Sequence, residues 1–117
     1  LRYREGIEAL EAQDYPKAVE LLSDYVDQNP TDGEASFNLG LAQLFADNLS
    51  AAEREFAKTK KMMPENWEVF DRLGYLDELQ GDYSGSLENY QKAHDLNPDS
   101  SIKESIERIR ERIRRSE

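Results

Sequence analysis

The sequence predicts an all-α protein, an α-solenoid in which antiparallel pairs of helices stack on one another. Two observations predict this fold class. A period of 34 residues runs three times along the chain, and each period contains two segments in which apolar residues recur at helical spacing. Because two helices of about 13 residues cannot bury their apolar faces alone, neighbouring pairs must stack.

The period is visible at six classes of position. Glycine recurs at Gly6, Gly40 and Gly74, although glycine inside a helix costs about 1 kcal/mol relative to alanine. We therefore expect the paired helix to approach these backbones too closely for a side chain, with small residues of the same period facing them. The other five classes are Ala18, Ala52 and Ser86; Leu22, Phe56 and Tyr90; Tyr15, Leu49 and Tyr83; Asp14, Asn48 and Asp82; and Pro30, Pro64 and Pro98.

The first repeat covers about residues 1–30. Pro16 falls in the opening turn of its second helix, where the missing N–H costs little. By the period, the opening residues of this repeat are missing, and the chain starts at Leu1 without an initiator Met or a signal-peptide pattern. We therefore expect further sequence upstream.

The second repeat, residues 31–64, begins with a helix. Its predicted start is a capping box, in which the side chains of Thr31 and Glu34 satisfy backbone N–H groups reciprocally. The polar residues at 47–48 are expected to end it. Its apolar positions are Phe37, Leu41, Leu44 and Phe45.

A second helix completes this repeat. Ser50 and Glu53 form another predicted capping box. The helix is expected to run to about Met62, because Pro64 stops it.

The third repeat, residues 65–98, follows the same plan. Its first helix carries an apolar face around Gly74. Gly81 and Asp82 are expected to form the turn to its second helix.

The last segment, residues 99–117, predicts one amphipathic helix. Ser101 and Glu104 form its predicted capping box. An apolar stripe lies on an otherwise charged surface, and we expect it to cover the end of the last repeat, as such arrays require. The stripe consists of Ile102, Ile106, Ile109 and Ile113.

Two alternative roles of this helix are weaker. A dimerising coiled coil needs three or four heptads, and the stripe spans fewer than two. A nucleic-acid or membrane patch would use the arginines, but the interleaved Glu104, Glu107 and Glu111 favour ion pairs within the helix.

Composition excludes several classes of protein. The net charge is −10, with 20 acidic against 9 basic side chains in residues 1–98 and 5 against 6 in residues 99–117. An acidic body repels phosphate backbones, which argues against nucleic acid as a ligand. The chain has no cysteine, and no apolar run approaches the roughly 20 residues that span a bilayer. A soluble protein, cytoplasmic by default, is expected.

These residues resemble the tetratricopeptide repeat family, whose 34-residue pattern is W-x₂-L-G-x₂-Y, then A-x₃-F, then P. The resemblance covers residues 1–98. It rests in the third repeat on Phe70, Leu73, Gly74, Ser86, Tyr90 and Pro98; in the second on Leu39, Gly40, Ala52, Phe56 and Pro64; and in the first on Gly6, Ala18, Leu22 and Pro30. It implies a right-handed superhelix whose concave groove binds an extended peptide or a helix of a partner protein.

The resemblance also implies which residues line that groove. The set is rich in apolar and aromatic side chains, as interaction surfaces are. Its acids outnumber its bases, so the expected partner segment combines hydrophobic and basic residues. The predicted groove residues are Tyr3, Ile7, Phe37, Asn38, Leu41, Phe45, Glu68, Asp71, Arg72, Tyr75 and Leu79.

One subtype of the family holds a chaperone's C-terminal carboxylate with a clamp of lysine, asparagine and arginine. The residues at the clamp positions here are Tyr3, Ile7, Asn38, Glu68 and Arg72. Only two of the five match, and Glu68 places a like charge beside the carboxylate. A carboxylate clamp is therefore not expected.

No motif for catalysis, cofactor binding or metal binding is found. His94 is the only histidine and has no cysteine partner. There is no Gly-rich phosphate loop and no serine beside a plausible base. The sequence thus predicts a non-enzymatic scaffold that binds a partner protein. The alternative is a structural assembly or oligomerisation module of a larger complex, with self-association through the C-terminal helix or the convex face.

Overall fold

The computed structural model describes residues 2–117, and over that range the chain forms seven α-helices and no strand. Leu1, the first residue of the first predicted repeat, lies outside the described residues. The predicted all-α class is confirmed, and seven helices fit about three repeats and one capping helix. The helices are α1 (Arg2–Glu11), α2 (Tyr15–Gln28), α3 (Gly33–Phe45), α4 (Leu49–Met62), α5 (Trp67–Leu79), α6 (Tyr83–Leu96) and α7 (Ser100–Arg115).

The chain divides into two compact units, Leu1–Pro64 and Glu65–Glu117. In the first unit α1 packs on α2, α2 on α3 and α3 on α4; in the second unit α5 packs on α6 and α6 on α7. The first unit's core includes Ala9, Ala18, Leu22, Val26, Ala35, Leu39 and Ala42. Buried residues of the second unit include Val69, Phe70, Leu73, Leu76, Tyr90 and Ala93.

The three periodic glycines mark close contacts between paired helices. A Cβ atom on Gly40 would lie 2.5 Å from Cε1 of Phe56. Equivalent atoms on Gly6 and Gly74 would lie 2.7 Å from Leu22 Cδ2 and 2.8 Å from Tyr90 Cδ1. The expected close approach is therefore confirmed.

The expected partners of these glycines were wrong in one respect. The nearest atoms belong to the large residue of each second helix, not to the small one, so each glycine makes room for a bulky side chain. The small residues are nevertheless fully buried. Ser86 lies beside Gly74, and its hydroxyl donates to the Gly74 carbonyl at 2.7 Å.

Three predicted capping boxes were wrong by one or two residues. The N-cap of α3 is Asp32, whose carboxylate accepts from the backbone N–H of Ala35 at 3.0 Å, and Thr31 precedes it. The N-cap of α7 is Asp99, which accepts from the N–H and the hydroxyl of Ser101. These hydrogen bonds lower the pKa of Asp99. A carboxylate is favoured at a helix N-terminus because it also meets the positive end of the helix dipole.

The third box differs in kind. Helix α4 starts after Asn48, whose side chain makes no capping hydrogen bond, and Ser50 lies inside the first turn. The Asn48 amide instead donates to the side chain of Gln43 at 2.8 Å. The other boundaries agree with expectation, since α4 ends at Met62 and Pro16 lies in the first turn of α2.

Helix α7 covers one side of α6, as predicted for a cap. Its stripe residues Ile102, Ile106 and Ile109 are 2%, 7% and 0% exposed. Ile113, one turn further on, is half-buried. The apolar stripe is therefore largely used within the chain.

Candidate protein-interaction surfaces

The first unit carries six of the predicted groove residues, on α1 and α3. We call five of them the first-unit face: Tyr3, Ile7, Asn38, Leu41 and Phe45. The sixth, Phe37, is only 8% exposed, and its ring centroid lies 5.7 Å from that of Phe56. Phe37 therefore packs in the core and offers little surface to a partner.

The first-unit face is held together by side-chain hydrogen bonds. The Asn38 amide donates to the Tyr3 hydroxyl at 2.8 Å, which joins α3 to α1. The Tyr3 ring also packs on Tyr25, with centroids 4.7 Å apart, and the Tyr25 hydroxyl donates to Asp32 at 2.9 Å. Partial burial raises the pKa of Tyr3, although the hydrogen bond from Asn38 opposes this. Both tyrosines thus stay neutral donors or acceptors.

The outer end of this face is apolar. Phe45 is 41% exposed, and its ring packs on Tyr15 with centroids 5.3 Å apart. Ile7 and Leu41 are half-buried. The apolar part of the face is therefore partly covered by its own neighbours.

The second unit carries the other predicted residues on α5. We call them the second-unit face: Glu68, Asp71, Arg72, Tyr75 and Leu79. Their spacing along the helix places all five on one side of α5. Tyr75 is 39% and Leu79 is 50% exposed. This side of α5 therefore presents two large apolar groups to solvent.

Asp71 differs from the other acids of this face. It is half-buried, and burial raises the pKa of its carboxyl group, while the charge of Arg72 acts in the opposite direction. Within residues 2–117 its carboxylate makes no hydrogen bond or ion pair. A carboxylate that has lost water without gaining a donor carries an uncompensated cost.

Glu78, beside Leu79, is the centre of a network that joins three helices. Arg108 of α7 donates to both of its carboxylate oxygens, from Nε at 2.9 Å and Nη2 at 2.8 Å. The Tyr90 hydroxyl of α6 donates to it at 3.1 Å. The hydrogen bond from Arg108 holds the pKa of Glu78 below its usual value, and burial together with Glu78 raises the pKa of Tyr90.

Three further arginines of α7 make contacts of two kinds. Arg114 and Arg115 pair with Glu111 of the same helix, which agrees with the predicted intrahelical pairing. Arg112 instead reaches back to α6, where its guanidinium lies 5.8 Å from the Tyr83 ring centroid. Sequence reasoning missed the contacts of Arg108 and Arg112 because it paired arginines only within α7.

Other kinds of site were considered from the geometry of metal-binding side chains, apolar helices and clefts. Among residues 2–117 no group of three or more His, Cys, Asp or Glu side chains is placed to hold a metal ion. In the same range no helix is both long and apolar enough to cross a membrane. His94 lines an open cleft of about 470 Å³ between α6 and α7, together with Gln91, Asp95, Lys103, Ile106, Glu107 and Arg110.

The comparison with protein families gives one match. The model of the family described as tetratricopeptide repeat matches residues 3–62, just over half of the chain. A search of curated proteins gives no match.

Solved structures of known proteins are similar over nearly the whole chain. The tetratricopeptide domain of Arabidopsis OM64 is 21% identical, with a TM-score of 0.90 over 94% of this chain and 92% of that one. The first such domain of Spaghetti (RPAP3), bound to the HSP90 peptide SRMEEVD, is 13% identical, with a TM-score of 0.91 over 96% and 90%. The Yersinia enterocolitica type III secretion chaperone SycD, in complex with a peptide of the translocator YopD, is 11% identical, with a TM-score of 0.89 over 95% and 91%. At these identities the likeness concerns the fold, and it confirms the α-solenoid class.

Proposed function

Because the chain belongs to the tetratricopeptide repeat family, we propose that it is a scaffold that binds a peptide or helix of a partner protein. The second-unit face on α5 is its principal contact surface, and the first-unit face adds a further one. The role is binding without catalysis. The proposed repeats occupy about residues 1–30, 31–64 and 65–98, and residues 99–117 cap them.

One observation carries the proposal: Tyr75 and Leu79 are exposed on the same side of α5 as the unpaired carboxylate of Asp71. Exposed aromatic and aliphatic groups gain most when a partner removes them from water. A cation from the same partner would compensate the lost hydration of Asp71. The same face therefore rewards a partner that combines hydrophobic and basic residues.

Structures with this fold support a peptide as the ligand class. RPAP3 holds an HSP90 peptide, and SycD holds a YopD peptide. The carboxylate clamp remains disfavoured for this chain. Asn38 already donates its amide to Tyr3, and exposed Glu68 would repel a carboxylate.

Assembly through α7 is the second candidate. The burial of Ile102, Ile106 and Ile109 leaves little of the stripe for another copy of the chain. Sedimentation of the protein decides between the two candidates. A stable dimer whose formation a bound peptide does not affect would favour assembly.

The proposal is tested with an array of short synthetic peptides that vary in charge and hydrophobicity, probed with labelled protein. We expect binding to peptides that combine leucine or phenylalanine with lysine or arginine. The double variant Tyr75→Ala/Leu79→Ala should lose at least about tenfold in affinity, and Asp71→Asn should bind basic peptides more weakly. Glu88→Gln, on α6, removes one exposed charge elsewhere and serves as the control. Unchanged affinity in the double variant would rule out the α5 face.

A further inference from the structure

The C-terminal end of the second-unit face is bordered by arginines from the capping helix. Arg108 binds Glu78, the neighbour of exposed Leu79, through two hydrogen bonds. Arg112 also lies close enough to contribute to the lowered pKa of Glu78. The end of α5 that carries Leu79 therefore adjoins the basic edge of α7.

Arg112 is the arginine of this edge that has no acidic partner. Arg108 is neutralised by Glu78, and Arg114 and Arg115 share Glu111. Arg112 forms no ion pair within residues 2–117. Its guanidinium lies over the Tyr83 ring, and its Nη1 is 3.5 Å from the Tyr83 hydroxyl, the long limit of a hydrogen bond.

This placement suits an incoming carboxylate. A cation over an aromatic face is held in place by electrostatic attraction to the ring. The planar guanidinium keeps free N–H groups that match a carboxylate in a two-pronged hydrogen bond. Asp82, the residue before Tyr83, caps α6 by accepting from the N–H of Gly85 at 2.9 Å.

Charge is therefore ordered along the second-unit face. Glu68 and Asp71 lie toward the N-terminal end of α5, where they outnumber Arg72 of the same face. Tyr75 and Leu79 follow toward the C-terminal end, which Arg112 adjoins. From residue 68 to residue 79 the helix rises about 16 Å. An extended peptide covers that length with about five residues.

We propose that the second-unit face selects a charge-ordered segment: a basic residue at Glu68 and Asp71, an apolar residue at Tyr75 and Leu79, and a carboxylate at Arg112. The proposal rests on the peptide-binding function proposed above and adds the acidic determinant and the direction of binding. Arg112 is the residue that binds the carboxylate. The carboxylate belongs to an aspartate or glutamate side chain or to a C-terminus.

The test compares three fluorescein-labelled peptides by fluorescence anisotropy. The first carries lysines, then leucines, then glutamates; the second has glutamine in place of glutamate; the third has the charges exchanged. We expect the first peptide to bind the protein about tenfold more tightly than the second, and the third to bind most weakly. A version of the first peptide with a neutral side chain and a free C-terminus distinguishes the two sources of the carboxylate.

Variants of α7 assign the preference to one residue. Arg112→Gln should remove the difference between the first and second peptides by weakening the binding of the first. Arg115→Gln, which removes another exposed charge of the same helix, should keep the difference. Circular dichroism of both variants checks that α7 remains folded.

The outcomes that contradict the inference differ in what they imply for the proposed function. If the protein binds the first and second peptides equally, or if Arg112→Gln keeps the difference, Arg112 does not read a carboxylate, although the proposed function stands. If none of the peptides binds, the proposed function and this inference both fail. If sedimentation shows self-association that the first peptide does not reverse, a second copy occupies the face and the inference is wrong.

Discussion

The space for one added methyl group, the Cβ of an alanine, differs between two glycines of α3. At Gly40 it would lie 2.5 Å from the ring of Phe56, which is fully buried and cannot swing aside. At Gly33, on the same helix, it would lie 2.8 Å from the sulfur of Met63, a flexible and half-buried side chain. Gly40 is therefore required by a rigid neighbour, whereas the neighbour of Gly33 can move to accommodate a side chain.

Gly40→Ala should lower the free energy of unfolding by about 1–3 kcal/mol, because the buried ring must move. Gly33→Ala should change it by no more than about 0.5 kcal/mol, because the thioether can rotate away. Urea unfolding followed by circular dichroism measures both. Equal effects of the two substitutions would contradict the packing argument.

The Glu78 carboxylate gives a second test at the scale of one residue. Glu78→Gln keeps the shape but weakens two charged hydrogen bonds from Arg108, so we expect a loss of about 1 kcal/mol at neutral pH. The estimate is at the low end because the Arg108 side chain is 46% exposed. Urea unfolding of both proteins at the same salt concentration measures it.

The pH dependence of this loss has a definite sign. The pKa of Glu78 is lowered in the folded protein from an ordinary value of 4.5. Its stabilisation is therefore fully present above that value and disappears as the pH falls through the lower folded pKa. The difference between wild type and Glu78→Gln should shrink below about pH 4. A difference that grows in acid would show that the carboxylate is not stabilised by Arg108.

The three repeats end their first helix in the same way but with different residues. The second residue after the helix has a positive φ in each: 63° at Gln13, 65° at Asp47 and 78° at Gly81. The backbone N–H of the next residue donates to the carbonyl five residues before it and closes the helix end, as from Asp14 to Ala9 at 2.8 Å. Only the third repeat uses glycine, for which this conformation carries no steric cost.

Gln13→Gly should therefore raise the free energy of unfolding by about 1 kcal/mol, because it removes the left-handed strain of a residue with a Cβ. Gln13 is exposed, so no packing is lost. Thermal unfolding measures the gain. The reciprocal variant Gly81→Gln should lose a similar amount; a loss in the first variant would mean that the strain at Gln13 is already compensated.

Helix boundaries illustrate what sequence reasoning could and could not locate. The turns at 47–48 and at 81–82 and the end of α4 followed from residue type. The N-caps did not, because Thr31 and Ser101 formed plausible boxes with glutamates three residues on. Asp32 and Asp99 cap instead, since a carboxylate gains from the helix dipole as well as from the hydrogen bond.

At the scale of the whole molecule, the period of 34 residues was sufficient for the fold because every repeat places the same contact at the same step. The surfaces were only partly predictable. The period places Tyr75 and Leu79 on one side of α5. It does not show that Phe37, whose equivalent one period later is Asp71, is buried against Phe56. The edge formed by Arg108 and Arg112 depends on how α7 packs, which apolar spacing alone does not define.

The net charge of the whole chain is expected to affect the rate at which a partner associates. The net charge is −10, and residues 1–98 carry 20 acidic against 9 basic side chains. Such a field attracts a basic peptide at long range and repels DNA or RNA. Raising the NaCl concentration from about 0.05 M to about 0.5 M shortens the Debye length to a few ångströms. The association rate of a lysine- and leucine-containing peptide should then fall about tenfold, with a smaller change in its dissociation rate.

Stopped-flow fluorescence with a labelled peptide measures both rates, and a peptide with leucines but no charge is the control. The neutral peptide should associate at nearly the same rate at both salt concentrations, because hydrophobic contact with Tyr75 and Leu79 is not screened. Salt should change the association rate more than the dissociation rate because electrostatic steering acts before the peptide touches the protein, whereas the apolar contacts act after it. If the basic peptide associates faster at high salt, the acidic surface does not steer it. If a labelled DNA duplex binds as well as the basic peptide does, the exposed arginines of α7 dominate over the acidic body.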